Sequence, residues 1–342
     1  MQNLTSNQQN ADSAKQPIEP LLDPNNERLT IFPIKFKNIW DMYKKQQAAF
    51  WKAEEIDFSK DADDFLTLDA DEQHFIKMIL AFFAAGDGIV NFNLRERFLN
   101  EIKITEAQVV YAFQMMMENI HGEVYSKMLD EIVKDPVEKQ FLFNSVKSVP
   151  AISLMAEWAL KWIHSDAHVG HRIIAFAAVE LIFFSGAFAA IFWLKKYRSQ
   201  GKDLMNGLVK SNQLIARDEG MHCEFACLLY SYIKDKPNKE VVFKIIDEAV
   251  TISKQFNKDA IKCQLLGMNI ELMSQYIEYV GDTLLSMLGY NKIYNTDNPF
   301  EWIESIGLAN KTNFFESRPT EYQMAHSTEN IAKKTITILE DF

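Results

Sequence analysis

Glu118-Asn119-Ile120-His121, followed by Tyr125, is the stretch whose reading decides the fold. On an α-helix, positions i, i+3 and i+7 share a face, so Glu118, His121 and Tyr125 point the same way. The surrounding residues 111–129 read as helix, with Phe113, Met116, Met117, Ile120, Val124 and Met128 recurring at three- and four-residue spacing. A Glu and a His on an inward face are costly unless something satisfies both, and a metal ion does so. One E-x-x-H arises easily by chance. The chain repeats it at Glu219-Gly220-Met221-His222, again among helix formers.

Working outward, each E-x-x-H helix is preceded by a helix with a lone carboxylate in an apolar run. Asp87 follows Ile79-Leu80-Ala81-Phe82-Phe83-Ala84-Ala85-Gly86, and Glu180 sits near the middle of the apolar stretch 173–194. Four helices thus offer Asp87, Glu118, His121, Glu180, Glu219 and His222, a donor set for two metal ions. This is the pattern of ferritin-like di-iron bundles, in which two helices give one carboxylate each and two give E-x-x-H. Carboxylate and imidazole without thiolate suit iron or manganese. Stretch 173–194 also has the length of a membrane span and is the sole such segment in this reading; a helix apolar all round equally serves as the core of a large soluble bundle.

Elsewhere the chain reads as helix throughout, with no stretch that calls for a strand. Helices are expected over 37–53, from a cap at Thr67 or Asp69 to about 100, from Thr105 to a stop at Lys134-Asp135-Pro136, and over 137–148 and 152–163. They continue over 173–194, 204–232, 239–266 and 269–288. Residues 1–26 are polar, aperiodic and broken by Pro17, Pro20 and Pro24, so they read as a disordered start; 27–315 is the helical domain and 316–342 a flexible tail. With 342 residues, 48% hydrophobic and 24% charged, the chain has material for a large core. A net charge of −11 argues against nucleic acid or an anionic membrane as partner. The 3 cysteines, Cys223, Cys227 and Cys263, fit no disulfide framework, and the polar start is no signal peptide; both favour a reducing, intracellular setting. His164, His168 and His171 have helical spacing but are interrupted by Ser165-Asp166 and Gly170, which reads as a loop.

Together these residues resemble the small subunit of class I ribonucleotide reductase of eukaryotic type. The resemblance is carried by Phe50-Trp51-Lys52-Ala53-Glu54-Glu55-Ile56-Asp57 and by residues 81–94, 117–126, 176–196, 211–226 and 310–316, and it runs over about 30–342. It implies a ferritin-like di-iron bundle with additional helices and a flexible C-terminal tail. Asp87, Glu118 and His121 would bind one iron, and Glu180, Glu219 and His222 the other. Tyr125 would be oxidised by O₂ at that centre to a stored tyrosyl radical, inside an apolar pocket of Phe184, Phe188 and Ile215. Trp51 and Asp218, with His121, would form the path by which the radical leaves, beside Arg217. Tyr322 would relay it to the large subunit, where ribonucleotides are reduced, and the tail ending at Phe342 would dock there. A homodimer and a cytoplasmic location are likewise implied. Three positions depart from the family's usual residues: Phe92 and Gln213 replace Glu, and Gly86 stands where Ser is common. The competing readings are a di-iron oxidase or desaturase with its own substrate, which needs neither Tyr125 nor the Trp51–Asp218 path, and an iron-storage bundle.

Overall fold

Side-chain caps decide where the central helices start. Asp69 accepts hydrogen bonds from the backbone N–H groups of Asp71 and Glu72, and the Glu72 carboxylate accepts from Asp69 N. This reciprocal pair satisfies donors that a helix N-terminus leaves open. It starts α3 (Ala70–Glu101), after α1 (Lys37–Ala48) and α2 (Asp61–Leu66). In the computed structural model, residues 18–198, 204–259, 269–300 and 303 are described. Thr105–Ile132 forms α4. Asp135 then caps α5 (Pro136–Phe143), whose Pro136 sits where no N–H is needed. A short helical turn, Ser145–Ser148, leads into α6 (Pro150–Ile163). After the loop comes α7 (Val169–Arg198), then α8 (Asn206–Ser231), α9 (Lys239–Asp259) and α10 (Ile270–Met287). No strand occurs among the described residues.

α3 packs along α4 and α7 along α8, and these two pairs form the central bundle. α1 lies on α4, while α6, α9 and α10 cover the outside of α7. α7 is therefore enclosed on every side: its most apolar window is 100% buried. That answers the membrane-span reading, since the hydrophobicity of α7 is spent against neighbouring helices. The length-and-composition test is also passed by Ala70–Glu101, so 173–194 is not the sole segment of that kind.

Both long carboxylate helices contain a π turn, Leu94–Phe98 in α3 and Val179–Phe183 in α7. A π turn inserts one residue into the helix without breaking it. Glu180 stands inside the second. The N-terminus of α8 is capped from a distance by the buried Asp61, which accepts from Gly207 N at 3.0 Å and Leu208 N at 2.7 Å.

Several boundaries differ from the sequence expectation: the expected 137–148 helix breaks at Asn144, 173–194 extends to Val169–Arg198, and two further differences have a visible cause. The described part of the start, from residue 18, is tied down: Leu21 is fully buried, its carbonyl accepts from Lys103 N, and Glu19 accepts from Lys234 N and Asp235 N. Polar, proline-broken sequence hid this because the attachment needs one apolar anchor and one carboxylate. The first helix ends at Ala48, short of residue 53, and the Ala49 carbonyl left free is taken by Arg217 Nη2 at 2.5 Å. The tail with Tyr322 and Phe342, and Cys263, lie outside the described residues.

Candidate metal centre

The bundle brings the six predicted donors to one place. α3 supplies Asp87, α4 supplies Glu118 and His121, the π turn of α7 supplies Glu180, and α8 supplies Glu219 and His222, all of them buried. Donor atoms of Asp87, Glu118, His121 and Glu219 lie within 4.8 Å of one another, and so do those of Glu118, Glu180, Glu219 and His222. Glu118 and Glu219 belong to both groups. Each histidine also faces the other motif's glutamate. His121 Nδ1 is 3.0 Å from Glu219 Oε1, and His222 Nδ1 is 2.9 Å from Glu118 Oε1.

Several donor atoms in this space have no hydrogen-bond partner: Asp87 Oδ2, Glu118 Oε2 and Glu180 Oε2. Buried polar atoms are normally paired. Three such orphans from three helices, in a cluster of oxygen and nitrogen donors only, fit a pair of hard or borderline cations.

The electrostatics of the metal-free chain agree. Burial, then the negative charge of Glu118, pushes the Asp87 carboxyl well above the usual range. Burial, then Glu219 and Glu118, does the same to Glu180. Burial also works to raise Glu219, but the hydrogen bond from His121 and the charge of His222 overcome it and hold that carboxyl low. For His222 burial favours the neutral ring, yet Glu118 and Glu219 push its pKa up to about 9. Crowded carboxylates thus share protons that a cation would replace.

Around the donors, His121 Nε2 lies 3.2 Å from Asp218 Oδ2, and Trp51 Nε1 donates to the same oxygen at 2.7 Å. The Trp51 and His121 rings run nearly parallel, 5.9 Å apart. Arg217 donates to the other Asp218 oxygen through Nε and Nη2. Trp51 and Arg217 thus both bond Asp218, which in turn meets His121. Gln114, which the sequence reading missed, donates through Nε2 to Glu180 Oε1 at 2.8 Å and so links α4 to α7. Its position one turn before Glu118 was the available signal.

Tyr125 is 1% exposed, and its hydroxyl has no hydrogen-bond partner. Burial, then the charge of Asp87, raises its pKa well above that of an ordinary phenol. The ring stacked on it is Phe83, at 4.7 Å, which the sequence reading did not name; Phe83 in turn contacts Phe188 at 5.0 Å and Phe184 at 5.7 Å. Ile215 is buried as well. Phe83 lies one helical turn before Asp87, so the Asp87 helix face already pointed to it. Gly86 admits the Phe184 ring: a Cβ there would lie 2.6 Å from Phe184 Cε1. Phe92 packs its ring edge against His164 and under Arg95, contacts a Glu would not make. Gln213 is half-buried on α8.

His164, His168 and His171 form no metal-type donor group, although the His168 and His171 rings lie 6.4 Å apart. His168 Nδ1 accepts from Gly170 N, His164 is exposed, and among the described residues metal-type donors group only at the bundle centre. Cys223 and Cys227 are buried on α8.

Comparison with known proteins agrees with this centre. A family model described as "Ribonucleotide reductase, small chain" matches residues 28–299. The chain is 55% identical over 306 residues to the ribonucleoside-diphosphate reductase small chain of Vaccinia virus (strain Ankara), covering 90% of this chain and 94% of that one. It is 51% identical over 325 residues to ribonucleoside-diphosphate reductase subunit M2 of Danio rerio, covering 95% of this chain and 83% of that one. Among solved structures, the ribonucleotide reductase Rnr4 homodimer from Saccharomyces cerevisiae superposes with a TM-score of 0.76 at 39% identity, covering 89% of this chain and 92% of the other. With the carboxylate–histidine centre on four helices and these matches along nearly its whole length, the chain belongs to the ribonucleotide reductase small chain family.

Proposed function

We propose that Asp87, Glu118, His121, Glu180, Glu219 and His222 hold two iron ions, and that Tyr125 is the residue kept as a radical for a ribonucleotide-reducing partner. The observation that carries this reading is the convergence of unpartnered donor atoms beside a buried, unpartnered tyrosine hydroxyl. When bound, Fe(II) ions would supply the reduction of O₂ that provides the one-electron oxidant for Tyr125.

The chain's own residues do the rest. Glu118 and Glu219, which belong to both donor groups, would hold the ions together with Asp87, Glu180 and the two histidines. Gln114 holds Glu180 in place by a hydrogen bond. The Phe83, Phe184 and Phe188 rings exclude water from the phenol, which prolongs the life of an oxidised tyrosine. Trp51, Asp218 and His121 form a hydrogen-bonded line from the centre, with Asp218 Oδ2 able to hold a proton shared with His121 Nε2. That line suits a radical that leaves the chain and has no use in an oxidase that keeps its own substrate.

In this reading the partner is a large subunit, the chain works as a homodimer, and the compartment is the cytoplasm. The tail carries Tyr322 as relay and ends at Phe342 as the docking residue; both lie outside the described residues. The test is low-temperature EPR of metal-free protein given Fe(II) and then O₂, beside Tyr125→Phe. A tyrosyl signal lost in the variant is expected. Iron uptake with no radical in the wild type would leave a di-iron oxidase as the better reading.

A further inference from the structure

The metal centre is sealed. Its six donors and Tyr125 are each at most 2% exposed, and the rings beside Tyr125 keep water out. A reactant that arrives from solvent therefore needs another path, and the seam between α3, α6 and α7 contains one. Two small cavities lie end to end there, each of about 20 Å³. Ile89, Ala159 and Val179 line both, so these three side chains form the waist between the two.

The outer cavity has Asn93, Trp162 and Arg172 in its wall, which makes it the more polar of the two, and half-buried Trp162 and Ile89 line it. The inner cavity is lined by Phe82, Ala85, Gly86, Met155 and Phe184 among others, all apolar. Its wall includes Gly86, the chain neighbour of Asp87, while the shared waist includes Val179, the neighbour of Glu180. The seam thus lies against the chain neighbour of a donor on each of the two lone-carboxylate helices, and the donors themselves stand behind its wall.

The chemistry of the lining selects the occupant. A water molecule needs two to four polar partners, and the inner cavity offers none; apolar cavities of this kind stay dry and take up apolar gases such as xenon. We propose that the α3–α6–α7 seam is the route by which dioxygen reaches the metal centre, with the Phe184 ring against Gly86 as its inner wall. The inference rests on the O₂-dependent reading given above.

The test uses the full chain and two substitutions that fill the seam, Ala159→Phe at the waist and Ala85→Leu in the inner cavity. Crystals pressurised with xenon should show it at the waist of the wild type and not in Ala159→Phe. Freeze-quench EPR across a range of O₂ concentrations should show the second-order rate of radical formation falling about tenfold, equivalent to ~1.4 kcal/mol on the entry barrier. Anaerobic Fe(II) binding should be unchanged. Xenon found only outside the seam, or an O₂ dependence unaltered in both variants, overturns the proposal. Where Ala159→Phe does not fold, Ala85→Leu carries the kinetic arm, because Ala85 is half-buried and has room to adjust. A wild type that makes no radical would count against the reading of the centre, while the xenon positions would still decide the seam.

Discussion

Trp51 and His121 are coupled through a single atom, Asp218 Oδ2, which accepts from the Trp51 indole at 2.7 Å and lies 3.2 Å from His121 Nε2. Because His121 also belongs to the donor cluster, this oxygen is the junction between the centre and the outside of the bundle. Asp218→Ala should leave iron binding and the Tyr125 radical largely intact while turnover with the large subunit falls by ~100-fold or more. EPR of the resting protein and a deoxyribonucleotide assay, run side by side, separate these effects. Loss of both together would make Asp218 a support for the metal site only.

Tyr125 makes an unusual control possible. Its buried hydroxyl has no partner, so Tyr125→Phe removes a group whose desolvation was never repaid. The metal-free variant should melt no lower than the wild type, and up to ~1 kcal/mol more stable. Thermal unfolding of both proteins checks this, and a clear destabilisation would reveal a hydrogen bond to the phenol.

Gly86→Ser should cost ~1–3 kcal/mol, because the new Cβ meets the Phe184 ring and forces it aside. Adding Phe184→Leu should recover part of the loss. Denaturant unfolding of the single and double variants measures the coupling, and additive effects would mean that the ring moves freely.

Metal uptake should release protons. Asp87 and Glu180 are held above the ordinary carboxylate range, and His222, with a pKa of about 9, carries a proton at pH 7 that a metal must displace. Affinity therefore falls as pH falls. The metal-free fold behaves oppositely through His222: a histidine raised from its unfolded value stabilises fully below ~6.5, and that contribution is lost as pH rises through about 9. Calorimetry in buffers of different ionisation enthalpy counts the protons, and uptake independent of buffer would contradict this.

At the other end of α4, Glu106 Oε1 accepts from Arg28 Nη2 at 2.7 Å, Lys35 N at 2.7 Å and Phe36 N at 3.3 Å. Burial works against the charge, but these donors hold the carboxyl below its usual range. A depressed carboxylate stabilises above its unfolded pKa of ~4.3 and loses that contribution as pH falls through the folded value. Glu106→Ala should cost ~3 kcal/mol at neutral pH, as expected for breaking a buried pair, with a smaller difference in acid. Melting curves across pH report it.

Much of this was legible in the sequence because helices and donors both follow short-range spacing. The two E-x-x-H copies, with Asp87 and Glu180 ahead of them, named all six donors before any coordinate. Trp51 and Asp218 came through the resemblance, since nothing in local spacing links residues so far apart. Gln114 and Phe83 escaped because a Gln or Phe on a buried helix face has many ordinary uses; only the facing helix reveals which is in play. Leu21 and Glu19 escaped for a different reason. Their polar, proline-rich surroundings carry no periodicity, and the anchoring partners, Lys103, Lys234 and Asp235, lie elsewhere in the chain.

The π turn at Val179–Phe183 gives the length of α7 a meaning of its own. An ordinary helix that loses one residue rotates everything beyond it by about 100° relative to what came before. Here such a deletion has a ready way to heal, by relaxing the π turn into regular α-helix, and the backbone would accept it. The residues beyond it, Phe184 and Phe188 among them, would keep their facing, and the turn that carries Glu180 would be the part repositioned. Point substitutions along this helix therefore test packing, whereas a single-residue deletion inside the π turn would test the placement of Glu180 in a bundle that otherwise stays in register.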